Sequence, residues 1–249
     1  MANYKPPIDT STPPLLAIMG RFFPFDSDGI PFADTTLIIK EARNSSHIGE
    51  DGGTGFNVWD GAMLLTRYIE KIPSKVKNKR VIELGSGCGV TGIAAATCGC
   101  KEIVMTDLSY ALPLMRENVE RNKIAWQGKD VVVNCKECDW FQPPPIDQLL
   151  NNQNYNEGKC DYPDVILVAD CVWISSLVAP LLQTLKKYTN GSTEVFITYQ
   201  QRGKEAHDMF MEGVHKLFRD VVDVDTLKEA NLVKPDVFHL LHCKMKQQC

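Results

Sequence analysis

The sequence lacks three features that would each assign the protein to a particular class. No uninterrupted apolar stretch reaches roughly 18 residues, the length that a membrane-spanning helix requires, so we expect no membrane partner. Basic residues are not in excess, because 27 Lys and Arg stand against 31 Asp and Glu and give a formal net charge of -4. Without a global positive field to hold phosphates, nucleic acid is not an expected partner. Internal repeats are also missing, which argues against repeat architectures.

The start of the chain and its cysteines favour a reducing compartment. The opening MANYKPPIDTSTPP lacks the basic start and apolar run of a secretory signal. Nine cysteines, an odd number spread over apparent strands and helices, do not suggest a disulfide framework. Cys98 with Cys100 and Cys135 with Cys138 have no partner pair at zinc-ribbon spacing, and the five histidines stand apart. We therefore expect free thiols, no metal site, and a cytoplasmic protein with the nucleus as a further location. We also expect a monomer.

Length and composition predict one large domain preceded by an extension. The chain has 249 residues, of which 44% are hydrophobic and 23% charged, as in ordinary globular proteins. Residues 1–55 are rich in Pro, Gly and Asp around two strand-like pieces, 21–25 and 36–39. We interpret them as an N-terminal extension with a hairpin that packs on the main domain. The main domain covers residues 56–249 and begins with a predicted helix over 60–71, which has Asp60 at its N-cap.

Beyond that helix, short β-rich apolar runs alternate with longer helical patterns. A run such as VILVA at 165–169 is typical of a strand buried on both faces. The helical segments include 91–98, 112–123 and 174–188, the last of which Pro180 should kink or delay. Residues 142–163 follow neither periodicity and are predicted to form a long loop. The alternation predicts an α/β fold, a parallel sheet covered by helices on both faces. The seven candidate strands are 80–84, 102–106, 131–134, 165–169, 194–198, 220–224 and 237–243.

The strongest local signal for function is the segment RVIELGSGCGVTG at 80–92. A strand ends there in a glycine-rich turn, and a helix begins after it. Gly85, Gly87 and Gly89 lack a Cβ atom, so the chain can turn sharply and a ligand can approach the backbone amides at the positive end of the helix. The pattern favours a nucleotide-like ligand, although a simple tight turn would share it.

Two ligands compete for this loop. Read from Gly87, the string GCGVTG matches the dinucleotide fingerprint, and Asp107 follows at about the spacing of the acid that binds an adenosine ribose. That register predicts a nicotinamide cofactor. Read from Gly85, the loop GSGCG begins where the strand ends, and Glu83 lies inside the strand just before it. We prefer the second register.

The segments ELGSGCG and TDL at 106–108 resemble the S-adenosylmethionine motifs of seven-strand methyltransferases. Five separated blocks are similar, more narrowly, to the non-histone protein lysine methyltransferases whose relatives modify Hsp70 chaperones, valosin-containing protein and translation elongation factors. The blocks are GFNVWDGA at 55–62, the glycine loop, TDL, CDWF at 138–141 and ADCVW at 169–173, in the family's order. The resemblance implies a Rossmann-like seven-stranded methyltransferase sheet with an antiparallel last strand. It also implies S-adenosyl-L-methionine as the methyl donor and a protein substrate of the chaperone, AAA ATPase or translation factor class.

By position, the resemblance implies a contact for each part of the donor. Asp107 would accept hydrogen bonds from the two ribose hydroxyls, which suits a carboxylate. Asp139 would accept from the adenine amino group, Trp140 would pack on the adenine ring, and Trp59 would face the methionine part. Each also has a purely structural interpretation, because acids after strands often cap turns and Trp residues often fill cores. The donor-binding residues that the resemblance implies are Trp59, Glu83, Gly85, Gly87, Asp107, Leu108, Asp139, Trp140 and Ala169.

The acceptor side is expected at the carboxyl end of the fourth strand, where ADCVW stands. The Asn/Asp-Pro-Pro-Tyr box of DNA and glutamine methyltransferases is missing there, whereas the lysine family carries an Asp, two variable residues and a Tyr. Asp170 fits this pattern and Trp173 departs from it, and these two are the implied catalytic residues. A lysine amine has a pKa of about 10.4 and must lose its proton before it attacks a methyl group. Asp170 would accept a hydrogen bond from this amine, and Trp173 would offer an aromatic face but no phenolic oxygen.

Several alternatives remain at this point. Tyr199 and Arg202 in TYQQR also resemble the family and are either pocket walls or plain packing residues, although Gln200 stands where an acid is common. A nicotinamide-dependent oxidoreductase is the rival enzyme class. A methyltransferase fold that binds the donor but serves as an interaction module is a second rival, suggested by Trp173 and Gln200. A small amine or another protein side chain could also replace lysine as the acceptor.

Overall fold

The computed structural model describes residues 22–23, 29–42, 54–150 and 162–245. Near its start, β1 (Ile30–Phe32) and β2 (Thr35–Leu37) form an antiparallel hairpin. The predicted hairpin is therefore present, but its first strand is not the apolar piece 21–25, most of which lies outside the described residues. A short turn joins β1 to β2, so the strand that pairs with β2 is the one immediately before that turn.

The main sheet has seven strands, each of which overlaps one of the predicted apolar runs. They are β3 (Arg80–Leu84), β4 (Glu102–Asp107), β5 (Val132–Glu137), β6 (Val165–Ala169), β7 (Glu194–Gln200), β8 (Phe218–Asp223) and β9 (Phe238–Met245). Their order across the sheet is β5-β4-β3-β6-β7-β9-β8. All neighbours are parallel except β9, which runs antiparallel to both β7 and β8. The predicted α/β sheet, mostly parallel with an antiparallel last strand, is confirmed.

Strand boundaries agree with prediction for β3 and β6 and differ elsewhere, where pairing outweighs the apolar pattern. β5 continues beyond Asn134 because Lys136 and Glu137 still pair with β4. β8 begins at Phe218, earlier than predicted, because this residue pairs with Met245 of β9. β5 and β8 are the two edge strands, and polar residues are tolerated at edges because one side of the strand has no partner strand.

Seven α-helices connect and cover these strands within the described residues, and none of them is long and apolar enough to cross a membrane. They are α1 (Asp60–Lys71), α2 (Val90–Thr97), α3 (Leu112–Asn122), α4 (Ile146–Leu149), α5 (Ser175–Tyr188), α6 (Lys204–Leu217) and α7 (Thr226–Ala230). The helices predicted from the sequence correspond to α1, α2, α3 and α5. The short helix α4 lies inside the segment that was predicted to be a loop.

Two helix details differ from the sequence prediction. Asp60 is not the N-cap of α1, because Trp59 holds that position, and the Asp60 carboxylate instead accepts a hydrogen bond from the Phe23 N–H at 2.9 Å. Pro180 does not delay α5, which begins at Ser175 and runs through Pro180, while a kink there stays a prediction. A proline in the second turn deprives only the carbonyl four residues earlier of its partner, and the rest of the helix compensates by packing.

The strands bury apolar side chains on both faces of the sheet. In β6, Val165 and Leu167 belong to the apolar cluster that α1, α2 and α3 cover. Ile166 and Val168 belong to the cluster that α5 and α6 cover. Because successive side chains of a strand point to opposite faces, a continuous apolar run is what a central strand requires. The sequence prediction of a doubly covered sheet is confirmed.

The described residues of the N-terminal extension pack directly on the main domain. Phe22 and Phe23 place their rings 5.2 and 6.0 Å from the ring centroid of Phe238. The backbone just after β2 is also held: the Ile38 N–H donates to the Asn122 side chain at 2.8 Å, and the Lys40 N–H donates to the Asn118 side chain at 2.9 Å. The described part of the extension is thus laid on the main domain, while the boundary at residue 55 stays a prediction.

The sheet order places two motifs of the sequence side by side. β3 and β6 are neighbours, and the later strands continue to one side while β4 and β5 lie on the other. In open α/β sheets, ligands bind outside the carboxyl ends of the strands at such a switch point. The glycine loop after β3 and the segment ADCVW after β6 meet at this edge.

Candidate active site

The glycine loop follows β3 in the register that starts at Gly85. Gly85, Gly87 and Gly89 have positive φ angles of 69°, 52° and 84°, which side chains other than glycine rarely adopt. A Cβ atom on Gly85 would lie 2.5 Å from the Cys171 Sγ atom. The loop then enters α2 at Val90. The close approach of ADCVW to the loop leaves no room for a larger residue at Gly85.

A cavity of about 570 Å³ opens at this edge of the sheet. Every residue that the sequence analysis assigned to the site lines it, although these residues come from distant parts of the chain. They are Trp59, Glu83, Gly85, Gly87, Asp107, Leu108, Asp139, Trp140, Ala169, Asp170 and Trp173. The structure therefore brings the predicted set together, while the role of each member stays a prediction.

Asp107 ends β4 and faces the glycine loop. Its Oδ2 atom accepts a hydrogen bond from the Gly87 N–H at 2.7 Å, and its Oδ1 atom accepts one from the Leu108 N–H at 2.8 Å. Burial raises the pKa of this carboxyl above its usual value. A carboxylate oxygen can accept two hydrogen bonds, so each keeps one acceptor position. Two neighbouring hydroxyl groups of a ligand match this arrangement.

Glu83 lies in β3 beneath the loop and is almost completely buried. Its Oε2 atom has no hydrogen-bond partner among the described residues. Burial disfavours the charged form and raises the pKa of this carboxyl to about 8. Buried polar atoms normally have a partner, and Glu83 lines the cavity, so this carboxyl is a candidate hydrogen-bonding group for a ligand.

Asp139 and Trp140 follow β5 and border the cavity on another side. The Phe141 N–H donates to Asp139 Oδ1 at 2.9 Å, so this acid does cap a turn, as its structural interpretation suggested. Its second oxygen is not used in that bond. The Trp140 ring lies 3.0 Å from the point that a Cβ atom of Gly85 would occupy. The ring therefore packs against the glycine loop and also borders the cavity.

The segment before α1 forms a further wall. The Gly55 N–H donates to the Tyr110 hydroxyl at 3.3 Å, and the Trp59 Nε1–H donates to the Thr54 carbonyl at 2.9 Å. A Cβ atom on Gly87 would lie 3.1 Å from the Gly55 carbonyl oxygen. This segment consequently rests on the glycine loop and continues to Trp59, which is 38% exposed.

The Asp170 carboxylate is fully buried, and all of its acceptor positions are used. Arg202 donates to both oxygens, with Nη1 2.7 Å from Oδ1 and Nη2 2.8 Å from Oδ2. The Gln200 N–H donates to Oδ1 at 3.2 Å, and the Gly61 N–H donates to Oδ2 at 3.0 Å. A carboxylate offers about four lone-pair sites. The predicted hydrogen bond from the substrate amine to Asp170 therefore needs correction, because these partners leave it no acceptor position.

The two candidate wall residues at the end of β7, Tyr199 and Arg202, differ in their location. Arg202 lines the cavity, and its guanidinium carbon lies 5.0 Å from the centroid of the Trp59 ring. Tyr199 is not among the lining residues, because it is fully buried and its hydroxyl bonds to His207 Nδ1 at 3.0 Å. Trp173 is 41% exposed and borders the same cavity.

Sequence reasoning did not single out several lining residues, among them Tyr110 and Cys171. Cys171 lies inside the block ADCVW, between Asp170 and Trp173, but nothing in the sequence indicated a role for its thiol. Its Sγ atom lies 3.5 Å from the Leu84 carbonyl oxygen, so it packs β6 against the start of the glycine loop. Tyr110 comes three residues after Asp107, the acid that the resemblance assigns to the ribose. An aromatic residue so close to that acid could have been predicted to line the site.

The cavity fits the methyl donor that the resemblance implies. Asp107 offers two acceptor positions for a diol, Glu83 has an unpartnered oxygen for an ammonium group, and the Trp140 ring provides a surface for a base. No set of three or more His, Cys, Asp or Glu side chains suited to a metal ion occurs in the part of the chain that the structure describes. A site without metal stays a prediction.

Comparison with protein families and curated sequences gives a consistent answer. The model of the lysine methyltransferase family matches residues 33–217. Protein N-lysine methyltransferase METTL21A from Danio rerio is 33% identical over 166 residues, which are 67% of this chain and 69% of that protein. EEF1A lysine methyltransferase 3 from Xenopus tropicalis is 30% identical over 174 residues, 70% of each protein. METTL21A from Xenopus tropicalis is 26% identical over 234 residues, 90% of this chain and 97% of that protein.

Comparison with solved structures supports the fold. A TehB-like SAM-dependent methyltransferase from Corynebacterium glutamicum superposes with a TM-score of 0.50 at 13% sequence identity. The match covers 72% of this chain and 88% of that protein. At this level of identity the likeness concerns the fold alone, and it agrees with the seven-stranded methyltransferase sheet.

Proposed function

The chain belongs to the lysine methyltransferase family, and we propose that its methyl transfer takes place in the cavity at the carboxyl ends of β3, β4 and β6. As a member of this family it is an S-adenosylmethionine-dependent enzyme that methylates lysine side chains of proteins. One observation carries the proposed site: residues of both the donor-type and the acceptor-type motifs line the same cavity. The family favours this assignment over a nicotinamide-dependent oxidoreductase.

The donor half of the cavity is proposed to lie between the glycine loop and the ends of β4 and β5. When bound, S-adenosylmethionine supplies a methyl group on a positively charged sulfur. The free acceptor positions of Asp107 suit the two ribose hydroxyls, and the unpartnered Oε2 of Glu83 suits the ammonium group. Trp140 offers its ring to the adenine, and Asp139 keeps an oxygen for the adenine amino group.

The acceptor half is proposed to lie beside Trp173, next to Trp59, which the sequence resemblance places against the methionine part of the donor. A lysine amine, with a pKa of about 10.4 in water, must become neutral before it attacks. Because Asp170 has no free acceptor position, we assign the proton to solvent: the amine loses it before it enters the cavity, where reduced solvation favours the neutral form. The aromatic face of Trp173 then holds the chain of the lysine and tolerates positive charge on the product.

We further propose a protein substrate of the translation factor class, with chaperones and AAA ATPases as the other classes that the sequence resemblance suggests. The support is that curated relatives include an EEF1A lysine methyltransferase. The formal net charge of -4 supports a partner other than nucleic acid. The seven cysteines in the described part form no disulfide bond with one another, which supports a reducing compartment, the cytoplasm or the nucleus. A monomeric state and the absence of a membrane partner are part of the same proposal.

Differential thermal stabilisation tests the proposed donor site. A ligand that binds the folded state raises its melting temperature, so S-adenosylhomocysteine should stabilise the protein and NADH should not. Stabilisation by NADH alone would contradict the proposal.

Transfer is tested with radiolabelled S-adenosylmethionine and a cell extract. We expect a labelled protein band whose modified residue is lysine by mass spectrometry, and loss of that band in the Trp173→Ala variant at unchanged S-adenosylhomocysteine binding. Label confined to the enzyme itself would favour an interaction module, and label on small amines would favour a different acceptor. Exposed Val222→Ala, on edge strand β8, is the matched control.

A further inference from the structure

Arg202 is held rigidly although it follows the end of a strand. Its side chain is only 17% exposed, and the two parallel hydrogen bonds to the Asp170 carboxylate, at 2.7 and 2.8 Å, fix the plane of the guanidinium group. Asp170 is itself fixed by the backbone N–H groups of Gly61 and Gln200. The guanidinium plane is therefore anchored to two strands and to the start of α1.

Trp59 is anchored in a different way. It is the N-cap residue of α1 and is 38% exposed, and one edge of its ring is tethered by the hydrogen bond from Nε1 to the Thr54 carbonyl. One hydrogen bond at an edge still allows the ring to turn about that edge. The guanidinium carbon of Arg202, 5.0 Å from the ring centroid, supplies the contact with the face.

We propose that Arg202 is a positioning residue that sets the orientation of the Trp59 ring where the donor and acceptor sides of the cavity meet. It acts through Trp59 and contacts neither the methyl donor nor the lysine. This inference rests on the proposed function for its consequence, the fit of the substrate lysine, but the orientation of the ring can be measured without any substrate.

The chemistry of arginine explains why this residue type stands here. A planar guanidinium can bond a carboxylate along its edge and stack on an aromatic ring with its face at the same time, whereas a lysine ammonium can do only one of these well. The positive charge of Arg202 is matched by the negative charge of Asp170. The pair therefore holds Trp59 without adding a net charge that would repel a substrate ammonium group.

The first test is fluorine NMR of the protein labelled with 5-fluorotryptophan. The four Trp residues give four resonances, and the Trp59→Phe variant identifies the one from Trp59. In Arg202→Lys, which keeps the charge, we expect the Trp59 resonance to shift or broaden while that of Trp126, which is buried and does not line the cavity, stays in place. An unchanged Trp59 resonance would overturn the proposal, and so would equal shifts of all four, which would mean a general structural change.

The matched control is Arg219→Lys. Arg219 also pairs with an aspartate, Asp220, at 2.8 Å, but it lies on edge strand β8 and is half exposed. We expect no shift of any Trp resonance in this variant. A shift of the Trp59 resonance in Arg219→Lys would show that any arginine change perturbs the ring, and would equally overturn the proposal.

The second test separates substrate capture from the chemical step. Labelling is measured with radiolabelled S-adenosylmethionine over a range of cell-extract concentrations. Arg202→Lys should raise the extract concentration for half-maximal labelling about three- to tenfold, the range of a cation–π contact, with little change in maximal labelling. In a Trp59→Leu background the same substitution should add almost nothing, because residues that act through each other are not additive.

The two tests fail in different ways. If the wild type labels no protein but the Trp59 resonance responds to Arg202→Lys, the proposed function is wrong and the positioning of Trp59 stands. If labelling occurs and the Arg202→Lys effect is the same with or without Trp59, the positioning role is wrong and the proposed function stands.

Discussion

Gly61 and Asp170 approach each other so closely that a Cβ atom on Gly61 would lie 2.8 Å from the Asp170 Cβ. The Gly61 N–H donates to the Asp170 carboxylate at 3.0 Å. Asp170 itself has a positive φ of 57°, which non-glycine residues seldom adopt. The first turn of α1 is thus joined directly to the end of β6, and the motifs WDGA and ADCVW form one structural unit.

We predict that Gly61→Ala destabilises the fold. The added methyl group has no space, so helix α1 or the Asp170 side chain must move and lose hydrogen bonds, at a cost of about 1–3 kcal/mol. Urea unfolding followed by circular dichroism measures the change. Gly191→Ala is the control, because a Cβ there meets nothing within 4 Å. Equal unfolding midpoints for both variants would contradict the close approach.

Replacing Asp170 tests its role as a structural centre. In Asp170→Ala, Arg202 loses its charged partner and two backbone N–H groups lose their acceptor, so we expect a loss of about 3–5 kcal/mol in the free energy of unfolding. Asp220→Ala breaks the half-exposed pair with Arg219 and should have little effect. If Asp170→Ala unfolds like wild type but has no activity, Asp170 contacts the substrate after all.

Asp107 is predicted to determine donor affinity. Asp107→Ala removes the acceptor positions for two hydroxyls, and hydrogen bonds to a charged group contribute about 1.5–3 kcal/mol each, so S-adenosylhomocysteine should bind at least tenfold more weakly. Isothermal titration calorimetry gives the dissociation constant. Asp130→Ala, at an exposed position before β5, is the control. An unchanged constant in Asp107→Ala would remove this residue from the donor site.

Much of the fold could be predicted because its signals are local. The sequence patterns at β3 and β6 predicted the exact strand limits, and β6 is apolar throughout because both faces of a central strand are buried. At the edge strands β5 and β8 the pattern was misleading, because their polar residues are held by pairing with a neighbour that is distant in sequence. The hairpin strand Ile30–Phe32 was missed because it is only three residues long and contains Pro31, a residue that argues against a strand.

Sequence motifs predicted which residues line the cavity. They did not predict which side chains and backbone groups form hydrogen bonds with those residues. The motifs brought Asp107, Trp140 and Trp173 to the cavity as expected. The sequence could not indicate that Asp170 bonds Arg202 and the Gly61 N–H, because those partners come from β7 and α1. A role for an acid depends on which of its oxygens remain free, and that is a property of the folded structure.

Glu83 should make stability depend on pH. Its pKa is about 8 in the folded protein because of burial, against 4.5 for an exposed glutamate. Between these values the folded state binds more protons than the unfolded state, so Glu83 makes the free energy of unfolding fall as pH rises from about 4.5 to about 8. In Glu83→Gln this contribution should vanish, which urea midpoints at several pH values would reveal. Glu120→Gln, whose side chain is 69% exposed, should keep the wild-type slope, and the same slope in Glu83→Gln would disprove the assignment.

Tyr110 is predicted to hold the wall segment over the donor site. Its hydroxyl accepts from the Gly55 N–H, and its ring meets Phe56 edge-on at 5.3 Å, so Tyr110→Phe removes the hydrogen bond but keeps the ring contact. Losing one net hydrogen bond of about 1 kcal/mol should weaken S-adenosylhomocysteine binding about three- to tenfold, mainly through faster dissociation in stopped-flow fluorescence. Tyr162→Phe, in the cluster on the other face of the sheet, is the control. A slower dissociation in Tyr110→Phe would mean that the hydroxyl keeps the wall open rather than closed.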